Sequence, residues 1–511
     1  MRKYYLFLVV AAFLAANVNA QEANIFASGL KVSSVTGDFD VDFSYTLNAD
    51  ASSLTINVEN GDSFTVTEAA NLTKGSHKVT KRLTTLKNGD FYWSITAKGI
   101  SAPPAVPTKV TADEDILKFG PSRSLAVDNY FDSPGFGRVY VTTRGTDGVP
   151  TTHGIYILDA ALTDVTGQGK AGYKLADWNV SASAPINLGV GPDGMVYTAD
   201  WWTAKNSCVM DLSGNLTKTL TKAGATVSVW ATGSLGKDLI LYTVDDEYPN
   251  AKFELLSYLI GDSNLPYTGE PQVLYDLSAM GIANFGSLLP DGQGGWWICQ
   301  QRGIGYDTAA NPSLIHIDSR GNRNYSSDGF FGSSVGGSMA INADNTRIAI
   351  GGTKDGASLT KQVSIYDLEF DASDVPSFSN PVHIETNDVE TSVQFDNAGN
   401  LYVLNGGSTL ETASVHILSV YALPKAENSF TTPAPVSQVV KITGVNAIGK
   451  VLSGKDVKVF CEDGRIKVIG GELGNVFDLQ GRIVGSAPET KGVYLVQVKT
   501  DNGTVVKKIV K

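Results

Sequence analysis

The feature that most constrains the fold is a unit that recurs six times between residues 107 and 422. Each unit contains a short strand, a polar Gly/Asp/Asn turn, a second strand, a variable loop and a third strand. The centres of the second strands lie about 45 to 57 residues apart, at Tyr140, Tyr197, Tyr242, Trp297, Ala349 and Tyr402. This period is typical of one propeller blade with its loops, and a blade buries its faces only against neighbouring blades. The sequence therefore predicts a six-bladed β-propeller, with a seventh blade in a poorly matching stretch as the alternative.

Two of the turn-and-strand stretches resemble the NHL and related six-bladed propeller repeats. They are GPDGMVYTAD, from Gly191 to Asp200, and DNAGNLYVLNG, from Asp396 to Gly406. The resemblance covers only these stretches and implies a fold rather than a chemistry. Propeller rings usually close by pairing both chain ends in one blade, so we expect residues 107–111 to supply the outer strand of the sixth blade.

The segment before the propeller, residues 21–100, has alternating strands such as FDVDFSYTL, SLTINVEN and HKVTKRL. Alternation with a period of two, interrupted by Gly/Asn/Asp turns, predicts a small antiparallel sandwich. The stretch KRLTTLKNGDFYWSITAKG is similar to bacterial Ig-like modules. Proline-rich residues 101–106 then predict a stiff linker.

The segment after the propeller begins with polar, proline-bearing residues 423–440, which predict a second linker. Residues 441–511 predict another small β-sandwich domain. Its pieces Val476–Arg482, Lys491–Val496 and the basic end Lys507–Lys511 resemble the C-terminal sorting domain of type IX secretion cargo. The resemblance implies a Bacteroidetes-type origin, the type IX secretion machinery as a partner, and transport past the outer membrane. The alternative is a generic β-sandwich with a basic end. The expected fold class is thus all-β, a six-bladed β-propeller flanked by two small β-sandwich domains.

The first 20 residues have the three parts of a secretory signal peptide. Arg2 and Lys3 precede an apolar run from Tyr4 to Ala16, and Ala20 is a small residue at the expected cleavage point. The run is too short to span a bilayer comfortably, although a membrane anchor is the alternative, and no other stretch is apolar enough for a transmembrane segment. We therefore expect a secreted or outer-membrane-surface protein. The formal net charge of −12 disfavours nucleic acid as a partner.

Candidate binding residues lie in the loops after the second strands. Loops of several blades converge there over the propeller axis, where ligands usually bind. Arginines, carboxylates and aromatic rings on one rim suit a glycan or peptide. The predicted ligand-binding residues are Arg144, His153, Asp200, Trp201, Trp202, Asp245, Asp246, Arg302, Tyr306, Asp307 and Lys354. The competing interpretations are blade packing for Trp201 and Trp202, and a solvated acidic loop or a Ca²⁺ site for residues 245–247.

Catalytic signatures are scarce in the sequence. It has five histidines, with no pair at helical spacing for zinc, no G-x-S-x-G elbow and no phosphate-cradling glycine loop. We expect no catalytic residue and no cofactor, Ca²⁺ being the alternative. The leading hypothesis is a surface binding or adhesion protein that holds a glycan, a peptide or a surface protein. The alternatives are a secreted hydrolase or lyase acting on a polysaccharide or lactone, with a carboxylate pair drawn from Asp200, Asp245 or Asp307, and a structural spacer.

Overall fold

The computed structural model describes residues 21–511 except for the following positions: 34, 37–39, 60–61, 84–88, 113, 121, 123, 144–153, 167–171, 176–177, 179–184, 201–206, 221–225, 246–251, 283–285, 301–313, 328–337, 352–353, 356–357, 360, 387–389, 407–414, 444–456, 479–481, 489 and 501–502. The described part is built of strands, with short 3₁₀ turns at Ala69–Asn71, Asp115–Leu117 and Val436–Gln438. In that part, no helix is long and apolar enough to cross a membrane.

Eight strands precede the propeller: β1 (Ala27–Val32), β2 (Val35–Thr36), β3 (Asp40–Leu47), β4 (Ala51–Val58), β5 (Phe64–Val66), β6 (Gly75–Arg82), β7 (Gly89–Phe91) and β8 (Trp93–Gly99). In β3 every second residue is buried, as expected for a strand with one face on a core. Sheets β1-β3-β6 and β4-β8 enclose one apolar core, in which the Phe43 and Trp93 rings meet edge to face at 4.9 Å. The predicted sandwich is present.

The propeller begins with two short strands, β9 (Thr108–Lys109) and β10 (Lys118–Phe119). Blade 1 then contains β11 (Leu125–Val127), β12 (Val139–Thr143) and β13 (Gly154–Leu158). Blade 2 contains β14 (Asn187–Val190), β15 (Val196–Ala199), β16 (Ser207–Met210) and β17 (Leu216–Lys218). Blade 3 contains β18 (Thr226–Thr232), β19 (Leu239–Asp245), β20 (Glu254–Gly261) and β21 (Gln272–Asp276).

The second half of the ring repeats this arrangement. Blade 4 contains β22 (Gly286–Pro290), β23 (Trp296–Gln300), β24 (Leu314–Ile317) and β25 (Arg323–Ser326). Blade 5 contains β26 (Met339–Ile341), β27 (Arg347–Gly351), the small hairpin β28 (Lys354–Asp355) and β29 (Ser358–Leu359), then β30 (Gln362–Phe370) and β31 (Pro376–Glu385). Blade 6 contains β32 (Glu390–Phe395), β33 (Asn400–Gly406) and β34 (His416–Ala422).

The ring closes in the sixth blade. Strand β34 pairs with β9 and β10, so the start of the propeller supplies the outer strands of its last blade. The innermost strands β11, β14, β18, β22, β26 and β32 contact one another in that order, and β32 contacts β11. The predicted six-bladed all-β fold is confirmed, and Thr108–Lys109 lies within the segment expected to complete blade 6.

A repeated polar residue joins neighbouring innermost strands. The backbone N–H of Leu288 in blade 4 donates to Ser228 Oγ of blade 3, at 3.0 Å, and Val393 N–H in blade 6 donates to Ser338 Oγ of blade 5, at 2.7 Å. The equivalent positions hold Ser124, Asn187, Ser287 and Ser392. An inner strand has a free edge whose N–H groups need partners, so a hydroxyl from the preceding blade satisfies one of them.

Two further strands follow the propeller, β35 (Ser429–Pro433) and β36 (Val440–Thr443). β35 pairs with β8 at the edge of the first sandwich, and β36 pairs in parallel with β2 and antiparallel with β7. Val440 and Ile442 are buried in the core of that sandwich. The expected linker at 423–440 is therefore wrong over 429–433, and residues 441–443 belong to the first sandwich. The proline at position 433 argues against a strand in the sequence. An edge strand nevertheless tolerates a residue without a backbone N–H.

The sandwich and the propeller share a buried junction. Asn24 N–H donates to Asn400 Oδ1 at 2.7 Å, and Asn24 Nδ2 donates to the carbonyl oxygens of Gly399 and Leu423. Phe26 from the sandwich packs in a small apolar cluster with Phe136 of blade 1. Because the backbone N–H and the side-chain Nδ2 of Asn24 both find acceptors in the propeller, the two units meet in a defined geometry.

The last strands form a separate core. They are β37 (Lys458–Glu462), β38 (Arg465–Ile469), β39 (Glu472–Phe477), β40 (Ile483–Val484), β41 (Val493–Thr500) and β42 (Gly503–Val510). The hairpin β37-β38 accompanies a sheet of order β40-β39-β41-β42. Val476, Tyr494, Val496 and Val498 are among the buried residues of this core.

Candidate functional site

A cavity of about 1210 Å³ lies on the propeller axis, at the end that faces the sandwich. Innermost strands of the six blades line it, together with the turns between first and second strands. Further walls come from the sandwich at residues 57–59, 92–94, 430–431 and 433–434. Asn475, Phe477, Arg482 and Ile483 of the C-terminal region also line the cavity. Because adjacent strands of a blade are antiparallel, this is the end opposite the loops that follow the second strands.

The Ser/Asn positions of the innermost strands also line this cavity. Ser124 and Ser228 are almost completely buried, and each accepts a backbone N–H from the next blade. A serine hydroxyl that accepts one hydrogen bond still has a proton to donate. The axis therefore presents hydroxyl groups fixed in position by the contacts between blades.

Three of the residues that line the cavity are Glu59, Tyr92 and Asp132. We call this set the acidic corner. Glu59 follows β4, and its Oε2 accepts the backbone N–H of Tyr92 at 3.3 Å. Asp132 lies in the turn between the first two strands of blade 1, and its Oδ1 accepts the backbone N–H of Val436 at 3.0 Å. The site is thus assembled from two sandwich segments and one propeller turn.

The electrostatics of the acidic corner follow mainly from the partial burial of Glu59 and Tyr92. Burial raises the pKa of Glu59, although the hydrogen bond from Tyr92 N–H opposes the shift. Burial also raises the pKa of the Tyr92 hydroxyl, and the charges of Glu59, Asp90 and Asp132 add to this effect. A negative charge near a phenol disfavours its ionised form, so all three carboxylates act on this hydroxyl in the same direction.

Basic side chains on the cavity wall are engaged elsewhere. Arg347 Nη1 donates to the Pro424 carbonyl oxygen at 3.0 Å. Lys425 Nζ donates to the carbonyl oxygens of Ala398 and Ser429, and burial lowers its pKa. Arg482 pairs with Asp478 at 2.6 Å within the C-terminal sheet. Among the described residues, no ion pair joins a basic side chain to Glu59 or Asp132.

Asp200 and Asp245, which we predicted to bind a ligand, are buried by their own blades. Asp200 Oδ2 accepts hydrogen bonds from Trp178 Nε1 at 3.0 Å and from the Cys208 thiol at 3.7 Å. Asp245 is the last residue of β19 and its Oδ1 accepts the Thr243 hydroxyl at 2.7 Å. Both carboxylates thus have partners within their own blades, and their role in ligand binding stays a prediction.

The other predicted site residues cannot be placed together in this way. Lys354 belongs to β28, a two-residue strand of blade 5. The remaining predicted residues lie outside the described part of the chain: Arg144, His153, Trp201, Trp202, Asp246, Arg302, Tyr306 and Asp307. The ligand-binding rim stays a prediction, and so does the Ca²⁺ alternative at residues 245–247.

The acidic corner has no signature in the sequence. Glu59, Tyr92 and Asp132 come from three segments with no shared motif, and two of the segments had been assigned to a separate domain. One signal was available: the short innermost strands carry Ser or Asn before an apolar residue in all six repeats, as in Ser124-Leu125 and Ser392-Val393. This repeat marks residues that surround the axis.

Other polar clusters in the described residues are structural. His316 is buried in blade 4, with its Nε2 3.0 Å from Asp291 Oδ2 and its Nδ1 2.7 Å from Asn324 Oδ1. Its ring packs on Trp297 at 4.5 Å. No group of three or more His, Cys, Asp or Glu side chains suited to a metal ion occurs in the part of the chain that the structure describes.

Comparisons with known proteins give likenesses of fold only. No protein-family model matches the chain, and no curated protein does. The GH74 enzyme of Niastella koreensis is 10% identical with a TM-score of 0.34, over 79% of this chain and 67% of that chain. A puromycin-hydrolysing peptidase of Mycobacterium tuberculosis is 13% identical with a TM-score of 0.29, over 92% and 58% of the two chains.

A third solved structure is the complex of KlAtg21 with the coiled-coil of AgAtg16. It is 12% identical with a TM-score of 0.34, over 76% of this chain and 99% of that chain. At these identities and TM-scores the likenesses carry no argument about function.

Proposed function

We propose that this chain is a binding protein that holds a glycan, a peptide or a segment of a surface protein in the axial cavity. The observation that carries the proposal is the convergence of side chains from six blades and the sandwich on one space of about 1210 Å³. Small-molecule pockets are typically roughly 300–1,000 Å³ and combine apolar walls with a few placed polar groups. The wall here has that character, because the rings of Tyr130, Phe131 and Trp230 line the same cavity as the acidic corner.

A binding screen of the full chain tests this proposal. Glycan and peptide arrays are probed with the natural protein and with Ala343→Trp, which places a large ring at an exposed position on the cavity wall. The matched control is Ala279→Trp, at an exposed position in blade 3 that does not line the cavity. We expect Ala343→Trp alone to abolish binding. Equal binding by all three proteins would place the ligand elsewhere.

A secreted hydrolase or lyase that acts on a polysaccharide is the second candidate. The specific observation in its favour is that Glu59, whose pKa burial raises, shares the cavity with Asp132. Two carboxyl groups that face one substrate are the machinery of glycoside cleavage. Mass spectrometry of a polysaccharide incubated with the protein decides between the two functions. An unchanged ligand supports binding. Shortened products that disappear with Glu59→Gln support hydrolysis.

The third hypothesis, a structural spacer, is disfavoured by the convergence of side chains on the axis.

Export completes the proposal. Residues 1–20 have the signal-peptide pattern and lie outside the described residues. The resemblance of residues 476–511 to a type IX sorting domain supports delivery to the outer-membrane surface or the medium. Expression in a host with that secretion system, with and without residues 457–511, tests this point. Retention of only the shortened chain inside the cell is the expected result.

A further inference from the structure

One position of each blade lines the cavity at the level farthest from the sandwich. Each innermost strand runs toward the sandwich end, and in every blade the first of its described residues to line the cavity is a serine or an asparagine. We call these six residues the axial ring: Ser124, Asn187, Ser228, Ser287, Ser338 and Ser392. The residue that follows each of them is apolar and also lines the cavity, as Leu125 and Val393 do. The ring is therefore a polar layer next to an apolar one.

Contacts between blades fix the hydroxyl groups of the axial ring. Leu188 N–H donates to Ser124 Oγ at 3.2 Å, and Leu125 N–H donates to Ser392 Oγ at 3.2 Å. The hydrogen bonds to the serines of blades 3 and 5 described above are equivalent. An innermost strand pairs within its blade along one edge, so an N–H group that donates to the neighbouring blade lies on the other edge, which faces the axis. Each Oγ is thus held on the axial side of the strands.

Three of these hydroxyl groups have a proton without an acceptor. Ser124, Ser228 and Ser392 each accept one backbone N–H, and in the part of the chain that the structure describes none of them donates a hydrogen bond. Ser124 is 3% exposed and Ser228 is 1% exposed. A buried donor without an acceptor costs free energy, and a hydroxyl that already accepts a hydrogen bond is a stronger donor. A ligand oxygen on the axis would satisfy these donors.

The described charged residues that line the cavity lie outside the innermost strands. They occur in or beside the turns between first and second strands, in the sandwich and after the propeller, and are Glu59, Asp132, Asp344, Arg347, Asp396, Lys425 and Arg482. Asp396 follows Ser392 by four residues, which is roughly 13 Å along a strand. A charged ligand group at the ring would be buried without an opposite charge, which is unfavourable. The ring therefore favours an uncharged polar group.

An aromatic side chain lies beside the axial ring in blade 3. Trp230 follows Ser228 by two residues in β18, so the two side chains leave the strand on the same face. Trp230 is only partly buried and lines the cavity. Its ring offers an apolar surface to one side of a flat ligand, next to the hydroxyl groups.

We infer that the axial ring binds the hydroxyl groups of an uncharged sugar, either a free hexose or the end of a glycan chain. The inference rests on the proposed binding function and deepens it by naming the ligand class. Sugar hydroxyl groups donate and accept hydrogen bonds, as the serine hydroxyl groups do. A carboxylate or an inorganic anion would find donors in the ring but no positive charge among its described residues.

Isothermal titration calorimetry of the full chain tests the inference. The neutral probes are D-glucose, D-galactose and D-mannose, with maltose and lactose as chain ends. The matched charged probes are the corresponding uronic acids and 2-amino sugars, and sodium acetate tests for an anion site. We expect at least one neutral sugar to bind roughly tenfold or more tightly than its charged analogues, with little dependence on salt. Binding of a free hexose or of a disaccharide alone distinguishes the two sources of the sugar.

Two variants remove single hydroxyl groups from the ring. Ser228→Ala and Ser392→Ala should each weaken binding of the neutral sugar by about three- to tenfold, because one hydrogen bond to the ligand is lost. Ser327→Ala is the matched control. Ser327 is buried and its Oγ accepts Leu314 N–H at 3.1 Å in blade 4, but it does not line the cavity. The control loses the same kind of hydrogen bond and should keep the affinity of the natural chain.

The outcomes separate the two proposals. Charged sugars or acetate that bind as tightly as the neutral sugars, with binding abolished by Ala343→Trp, overturn the inference and leave the binding function intact. This comparison uses the natural ring, so it does not depend on the folding of the serine variants. Equal affinity of Ser228→Ala, Ser392→Ala and Ser327→Ala for a neutral sugar also overturns the inference. Failure of every probe in the natural protein, together with empty arrays, counts against both proposals.

Discussion

Asn24 and Asn400 exchange hydrogen bonds across the junction between the sandwich and the propeller. Asn24 N–H donates to Asn400 Oδ1 at 2.7 Å, and Asn400 Nδ2 donates to the Asn24 carbonyl oxygen at 2.8 Å. Both residues are fully buried. Asn400 Nδ2 also donates to Asp396 Oδ2 at 2.7 Å, so one amide ties a blade turn to the chain that enters the sandwich.

Asn400→Ala is expected to lower the free energy of unfolding by about 2–3 kcal/mol, because it leaves buried groups of Asn24 without partners. The matched control is Asn215→Ala. Asn215 donates to Asp211 in the same turn geometry but is exposed and makes no contact with the sandwich. Urea unfolding measures both. Equal losses would show that the junction contributes nothing beyond the turn.

Ser228→Ala is expected to destabilise the propeller by about 1–2 kcal/mol, because the buried N–H of Leu288 loses its acceptor in the neighbouring blade. Ser263→Ala, at an exposed position after β20, should change stability by less than about 0.5 kcal/mol. Thermal unfolding of both variants checks the difference. If Ser228→Ala is as stable as the natural chain, the serine hydroxyls of the innermost strands have no role in joining the blades.

The stability of the propeller should decrease as pH rises from about 4 to 7. Burial raises the pKa of Asp128 to about 7 and that of Asp396 to about 6. An unfolded aspartate has a pKa near 3.9. In this interval the folded state therefore binds more protons than the unfolded state, and the unfolding free energy falls with pH, by an amount on the order of a few kcal/mol.

Asp128→Asn is the variant that tests this pH dependence, since an amide mimics the protonated acid. Its unfolding free energy should change less between pH 4 and 7 than that of the natural chain. Asp211→Asn is the control. Hydrogen bonds from Asn215 lower the pKa of the Asp211 carboxyl, so this residue does not contribute the loss of stability expected from a raised pKa. A natural chain whose stability rises over the same interval would contradict the prediction.

Truncation should distinguish the returning strands from the C-terminal sheet. A chain that ends at residue 456 retains β35 and β36, and we expect it to keep a protected sandwich. A chain that ends at residue 428 lacks the strand beside β8 and the Gln438 carbonyl that accepts Trp93 Nε1–H at 2.6 Å. Hydrogen exchange of β3 and β4 is the measurement. Equal protection in both chains would mean that the sandwich folds without its late strands.

The blades were predictable because their turn chemistry repeats at a fixed place. The Asp that ends an innermost strand accepts backbone N–H groups of the following turn, as Asp291 does from Gln293 and Gly295, and the same residue types recur in several blades. At these turns the local preferences of the residues agree with the repeat pattern, so one sequence is enough to predict the blades. Strand β9 at Thr108–Lys109 is short. It was nevertheless predictable, because ring closure requires a partner for β34 at that point.

The sandwich boundary and the cavity were not predictable in the same way. Strand β35 contains a proline and alternates poorly, and only pairing with β8 makes it a strand. Glu59 and Asp132 are 73 positions apart in unrelated segments, so their presence in one cavity wall depends on how the sandwich packs against blade 1. Asp200 stands at the start of a polar loop in the sequence. In the structure its carboxylate accepts hydrogen bonds from Trp178 and Cys208.

The return of the chain to the sandwich also determines how the molecule carries tension. The propeller is a side branch that leaves after β8 and rejoins at β35, and those two strands pair directly. A pull applied between residue 26 and residue 457 therefore passes through the sandwich and bypasses the ring. The parallel pair β2 and β36 is loaded along its length, so its bonds share the force rather than opening one by one. The cavity wall on the propeller side would keep its shape under load until the sandwich has opened.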